Sequence, residues 1–332
     1  MRAYKNPLEK KAVTYPKSSV LSSLPNSWSR SDSFVEWHLS INMLKRKEPS
    51  KTKADAENGA DSEDSKSDNE EIVNVDFDYF DLRPDIDFHA IRNLLRQTFD
   101  SDNTIFDLSG LTELILSQSA LGSTVKTDGV ESDPFAFLTV VNANVHRENP
   151  AIRQITNYIL SKTKSNEAFN KRLNELLADG AKSKTGIIFS ERLVNMPTEV
   201  APPMYRMLYD EIQQASNNAE QYRFDYYIII SKSFTEIASR IDEEDERPKK
   251  KKKNREANSS ETFYFHAEDE IIQRKSEHHM TYKFSHEAQV ADSRRTFQDY
   301  GISPQGQLLL ISSNNFKDII DEMLTLFAVP PQ

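Results

Sequence analysis

The chain has 332 residues, a formal net charge of −10 and a hydrophobic share of 37%, low for its length, so part of it is expected to stay outside a packed core. It contains no cysteine, which excludes disulfides, thiolate nucleophiles, cysteine-based zinc sites and iron–sulfur clusters together and fits a reducing compartment. No apolar run approaches the roughly 20 residues that span a bilayer, so no membrane association is expected.

Met1 to Asn42 is rich in serine, mildly basic and lacks the apolar stretch of a secretory signal. It is expected to be a disordered extension, with Met43 as a second plausible start; a mitochondrial presequence is the competing reading, weakened by Glu9, Asp32 and Glu36. Residues 43–71 read as a disordered arm, first basic and then acidic, with too few large apolar side chains to offset the entropy of ordering. From Asp55 to Asp87 thirteen acidic residues stand against Lys66 and Arg83, a local charge of −11 that leaves the rest of the chain near +1. Such a segment points to a basic protein partner or a solubilising tail, and away from nucleic acid, whose phosphates it would repel.

Order is expected from Ile72. The alternation in Val73 to Phe80 predicts a half-buried strand, and Pro84 suits the first turn of a helix whose apolar stripe is Phe88, Ile91, Leu94, Leu95 and Phe99. A second helix is predicted over Leu108 to Gln118. "GSTVKTDG" and "DPFAFLTVVNANV" then predict two strands joined at a Gly129 turn. Pro150 opens a helical stretch to about Ala178, broken near Ser165. "TGIIFSERLVNMP" predicts a strand, Glu199 to Ala215 a helix, and "RFDYYIIISKSF" a buried strand. A charged loop insertion, residues 241–260, precedes three further strands at Glu261–His266, His279–Ser285 and Gln307–Ser312, and Asn315 to Phe327 closes the chain as an amphipathic helix. The alternation of strands and single helices predicts one α/β domain with a mixed sheet over residues 72–332, without internal repeats.

Several chemistries are excluded. No two of the eight glycines lie two residues apart, so a G-x-G-x-x-G dinucleotide loop does not exist. Gly301 and Gly306 have Walker A spacing, but Gln307 and Leu308 replace the lysine and hydroxyl residue, and "GISPQGQ" reads as a loop before a strand. His278, His279 and His286 cluster near Asp269, Glu270, Glu277 and Glu287; on a strand His279 and His286 face opposite sides, so no metal site is expected. Asp128 and Asp133 in "KTDGVESDP" form either a solvated hairpin loop or a docking point beside a glycine turn. Lys249, Lys250, Lys251, Lys252 and Lys253, with Arg247 and Arg255, follow five acids from Asp242 to Glu246. The run reads as a nuclear import signal or as a solvated loop whose halves neutralise each other, and "KRK" at Lys45 to Lys47 is a weaker second signal.

Three strings, "VNVDFDYFDLRPDIDFHAIRNLLRQTF", "GSTVKTDGVESDPFAFLTVVN" and "GIIFSERLVNMPTEVAPPMYRMLYDEI", resemble the BCCIP family in its fungal members, a likeness running from Val73 to the C-terminal helix. Met1 to Asn42 has no counterpart in it. The resemblance implies a nuclear protein with cytoplasmic shuttling that escorts clients, supports their nuclear export with transport factors, and protects a basic large-subunit ribosomal protein before assembly. It also implies a fold similar to the GCN5-related acetyltransferases, which bind acetyl-CoA through an R/Q-x-x-G-x-G/A loop. Here the residues two after each glycine are Asp61, Thr112, Thr124, Glu131, Lys182, Ile188, Ser303 and Leu308, so that loop is missing and neither cofactor nor catalysis is expected. The candidate contacts with a basic partner are Asp61, Glu63, Asp64, Asp68, Glu70 and Glu71 in the arm and Asp128 and Asp133 in the loop. A genome-maintenance or cell-cycle scaffold is the alternative.

Overall fold

The structure is a computed structural model that describes residues 38–44, 72–118, 121–236, 262–286 and 301–328. The arm acids Asp61 to Glu71 and the Lys249–Lys253 run lie outside the described residues, and so does the 241–260 insertion. The chain divides into two units, one ending at Asp78 and the other spanning Tyr79–Ala328.

In the first unit β1 (His38–Leu44) pairs antiparallel with β2 (Ile72–Asp81), in a register that sets Ile41 opposite Val75 and Ser40 opposite Asp76. This corrects the expectation that everything up to Asn42 is disordered. Leu39, Ile41 and Met43 alternate with Ser40 and Asn42, a period of two that the surrounding charges conceal, and pairing with β2 supplies the backbone partners that so short a segment lacks alone.

In the second unit the sheet is mixed and open. From the end of β2 its order runs through β3 (Ser123–Lys126), β4 (Ala136–Asn142), β5 (Thr185–Arg192) and β6 (Tyr226–Glu236) to β9 (Ile302–Ser312) and β8 (His278–Tyr282), while the short β7 (Thr262–Tyr264) also pairs with β6. β4 is antiparallel to β3 and to β5, and β6 is antiparallel to β7 and to β9. β5 and β6 are parallel, but their register ends at Ile188 opposite Ile229. Beyond that point β6 continues alone on that side until β7 takes the place of β5 at Ser233 to Thr235.

Helices cover both faces. On one side α1 (Phe88–Phe99), α2 (Leu108–Ser117), α3 (Pro150–Lys162) and α4 (Glu167–Leu177) pack on Phe137, Val141, Ile187, Phe189, Ile228, Ile230, Leu308 and Leu310. On the other, α5 (Ala201–Asn218) and α7 (Ser313–Leu326) meet around Phe316, whose ring lies 4.7 Å from that of Tyr227 on β6. A short helix, α6 (Glu268–Arg274), packs on β9 and α7 and has no apolar stripe long enough to announce it in the sequence.

Three boundaries differ from expectation. α1 starts at Phe88, because Arg83 to Asp87 forms a turn in which the Arg83 and Asp87 backbones and the Asp87 carboxylate bond one another. β8 ends at Tyr282 instead of Ser285. β9 begins at Ile302, so "ISPQG" is strand: β6 offers it a partner along its whole length, and Gly306 lets the Tyr282 ring lie where a Cβ would collide with it.

Candidate interaction surface

Strand directions bring a set of loops to one end of the sheet. β3 and β5 are each antiparallel to β4, and β6 is parallel to β5, so the carboxyl ends of β3, β5 and β6 emerge together. In open α/β sheets this is where binding sites are built. Residues 127–135 and 193–200 belong to this end, and the stretch joining β6 to β7 leaves from it.

The 127–135 loop is held firmly at its base. Lys126 is fully buried, its Nζ 2.7 Å from Asp87 Oδ1, also fully buried, and it donates to the Val130 carbonyl at 2.6 Å. Gly129 takes φ 81°, a left-handed turn conformation that favours glycine, and the Ser132 amide and hydroxyl both donate to its carbonyl. Arg83 bridges outward to Asp85 and Glu131. Asp128 and Asp133 are exposed on this frame, Asp128 accepting a hydrogen bond from the Thr127 hydroxyl at 3.1 Å. Beside them the Leu193 amide donates to the Phe135 carbonyl, and Val194 is 81% exposed. The surface therefore combines an apolar side chain with several carboxylates held on a rigid loop, features suited to a basic partner with some apolar character.

Beneath it, where β5 and β6 part, lies a buried ionic cluster that sequence reading missed. Glu191 on β5 is 2% exposed; Lys232 on β6 lies 2.9 Å from its Oε2, His266 Nε2 lies 3.0 Å from its Oε1, and the Thr98 hydroxyl of α1 donates to it at 3.2 Å. Burial alone would raise the Glu191 pKa, but Lys232 and His266 outweigh it and hold the group at about 2. Beside it Arg192 grips Glu268 through both terminal guanidinium nitrogens, a bidentate pair. The neighbouring Asp269 accepts from the Ser231 hydroxyl. The cavity alongside, lined by Phe137, Ser190, Arg192, Met204 and Tyr205 among others, leaves about 10 Å³ free, room on the order of one water. One signal was available in the sequence: Lys126, Glu191 and Lys232 each interrupt an apolar strand.

A second anchor is Asp102, fully buried in the turn after α1. It pairs with Lys162 at 2.8 Å, accepts from the Tyr158 hydroxyl at 2.9 Å and receives the Ser285 and His286 amides at 2.7 and 3.0 Å. Burial opposes its ionisation, yet these donors, Lys162 first, lower its pKa. This bond set ends β8 early and turns His286 away from His279, which is exposed and faces the Ser276 hydroxyl. Among the described residues no group of three His, Asp or Glu side chains is arranged to hold a metal ion, and no helix is long and apolar enough to cross a membrane.

The fold, a mixed α/β sheet, is similar to that of the solved BCP1 from Saccharomyces cerevisiae, with a TM-score of 0.52 and 26% identity over 79% of this chain and 93% of that one. Proteins named BCP1 are similar in sequence: that of Yarrowia lipolytica is 45% identical over 260 residues, covering 78% of this chain and 84% of that protein. The Schizosaccharomyces pombe protein is 44% identical over 259 residues, covering 78% and 92%. The BCCIP family profile matches residues 72–272. The chain belongs to the BCCIP family.

Proposed function

We propose that the chain is a non-catalytic escort protein that shuttles between nucleus and cytoplasm, supports nuclear export of client proteins and shields a basic large-subunit ribosomal protein until assembly. The observation that carries this reading is the local charge of −11 between Asp55 and Asp87, whose far end runs straight into the loop end of the sheet through Arg83 to Asp87. A free ribosomal protein has a basic surface that attracts RNA non-specifically, and a chain of carboxylates masks it by long-range attraction. Attraction of that kind is screened over about 8 Å at physiological salt and acts mainly on association rate, so it needs a folded surface beside it for specificity. The rigid 127–135 loop with Asp128, Asp133 and the neighbouring Val194 is that surface in this reading.

Non-catalytic binding accords with family and relatives whose names are not those of enzymes. The expected likeness to GCN5-related acetyltransferases is not confirmed; the fold is similar to that of a solved BCP1. Where the parallel strands β5 and β6 part, charged side chains fill the gap.

The test is the association rate of the full chain with a purified basic large-subunit ribosomal protein across a salt series. Deleting Asp55 to Glu71 should slow association on the order of tenfold at low salt and flatten the salt slope without abolishing the complex. Reversing Asp128 and Asp133 to lysine should instead speed dissociation. An unchanged on-rate and salt slope in the deletion would make the arm a solubilising tail and end this reading of it.

A further inference from the structure

The buried cluster where β5 and β6 part holds more carboxylates than fixed cations. Glu191, Glu268 and Asp269 face Lys232 and Arg192, with His266 between them, and all but Lys232 are under 10% exposed. The basic side chains are already committed: Arg192 to both oxygens of Glu268, and Lys232 and His266 to the two oxygens of Glu191. Asp269 takes its hydrogen bond from a neutral donor, the Ser231 hydroxyl, while the next side chain along the helix is the ionised Glu268. A buried carboxylate is costly without a cation bonded to it, so Asp269, left with a hydroxyl donor beside an ionised neighbour, is the group in the cluster that gains most from holding a proton.

We propose that this proton sits on Asp269 and makes the cluster a pH-sensitive latch, which docks α6, and β7 before it, onto β5 and β6 when protonated and loosens them when the proton leaves.

The geometry connects the proton to a movable element. α6 is seven residues long and its buried side chains are Glu268, Asp269, Ile271 and Ile272, so half of what it buries is ionisable. β7 pairs with β6 over three residues only. The groups that act on Asp269 from the surrounding elements are Arg192 of β5, Ser231 of β6, Tyr264 of β7, His266 in the turn before α6, Glu268 of α6 and Tyr205 of α5. Burial keeps the two tyrosines neutral, so they leave the balance of charge unchanged. Burial, with Glu268 adding to it and His266 opposing, lifts the Asp269 pKa from 3.8 to about 7. A carboxyl raised in this way contributes docking strength that is complete below its ordinary pKa and lost as pH rises through the raised one.

Hydrogen exchange of the full chain, read by mass spectrometry and corrected for intrinsic exchange, tests this. For a local opening that exposes Asp269, the protection of the α6 amides relative to those of α3 should fall about tenfold between pH 6 and pH 8, the change implied by a shift from 3.8 to about 7. Asp269→Asn should abolish that fall, since the amide mimics the protonated acid. Ser231→Ala removes a donor that favours the ionised form and should move the midpoint to higher pH, which keeps the proposal testable if the asparagine variant fails to fold. The proposal is overturned if α6 and α3 keep step from pH 6 to 8, if the tenfold fall survives Asp269→Asn, or if Ser231→Ala leaves the midpoint where it was.

Discussion

Replacing Lys126 by methionine removes the cation from a pair whose members are both fully buried, 2.7 Å apart. At that separation the mutual attraction is about 6 kcal/mol for an effective dielectric constant of about 20. The desolvation of two ions consumes most of it, so the intact pair adds little net stability. Removing one member is different, because the Asp87 carboxylate stays buried with the Arg83 amide donating to its Oδ2 but no cation beside its Oδ1, and the Val130 carbonyl loses the Lys126 donor. Lys126→Met should therefore cost about 3–5 kcal/mol. Far-UV circular dichroism during urea unfolding measures this, with Asp87→Asn and the double variant completing a cycle. The double variant should be more stable than the sum of the single losses requires, by at least about 1 kcal/mol, since it leaves no unpaired charge. A Lys126→Met protein within 1 kcal/mol of the parent, or single effects that simply add, would refute the argument that this pair fastens the 127–135 loop to the Arg83–Asp87 turn.

Glu191, held at about 2 against an ordinary 4.5, contributes about 3 kcal/mol that is present above pH 4.5 and lost as pH falls toward 2. Urea midpoints should therefore drop more steeply between pH 5 and 3 in the parent than in Glu191→Gln, and equal slopes would contradict the assignment. Changing Lys249 to Lys253 to alanine should lower nuclear accumulation of a tagged protein without altering its circular dichroism, because a charged loop contributes little packing. A variant as nuclear as the parent would shift the import role to Lys45–Lys53.

The elements that could be read in advance are those whose apolar residues carry a period. The stripe of Ile91, Leu94, Leu95 and Phe99 in α1, the break at Ser165 between α3 and α4, and the closing helix around Phe316, Ile319 and Ile320 all appear where they were expected. The short pieces fared worse. β1 has the right alternation but sits among charges, and α6 is two turns long with carboxylates where an apolar stripe would be. Propensity and pattern carry little information over seven residues, and the decisive contribution comes from partners far along the chain. Asp128 was legible as a turn residue next to Gly129, but the reason its loop is held was not, because Lys126 finds Asp87 39 positions away in the chain.

By itself the sequence determined the chemistry that is excluded, the mixed α/β class and the position of the acidic arm, since residue inventory, glycine spacing, hydrophobic period and local charge are all properties of neighbours in the chain. It did not determine which charges are buried. Glu191, Lys232, His266, Arg192, Glu268 and Asp269 come from β5, β6 and the segment after β7, up to 78 residues apart, and nothing in their local strings separates them from solvated residues. Only the parting of β5 from β6 brings them into one dry space. There the same side chains that would be screened in water must balance charge and share a proton, because in a medium of low dielectric constant an unpaired charge is far costlier than at the surface.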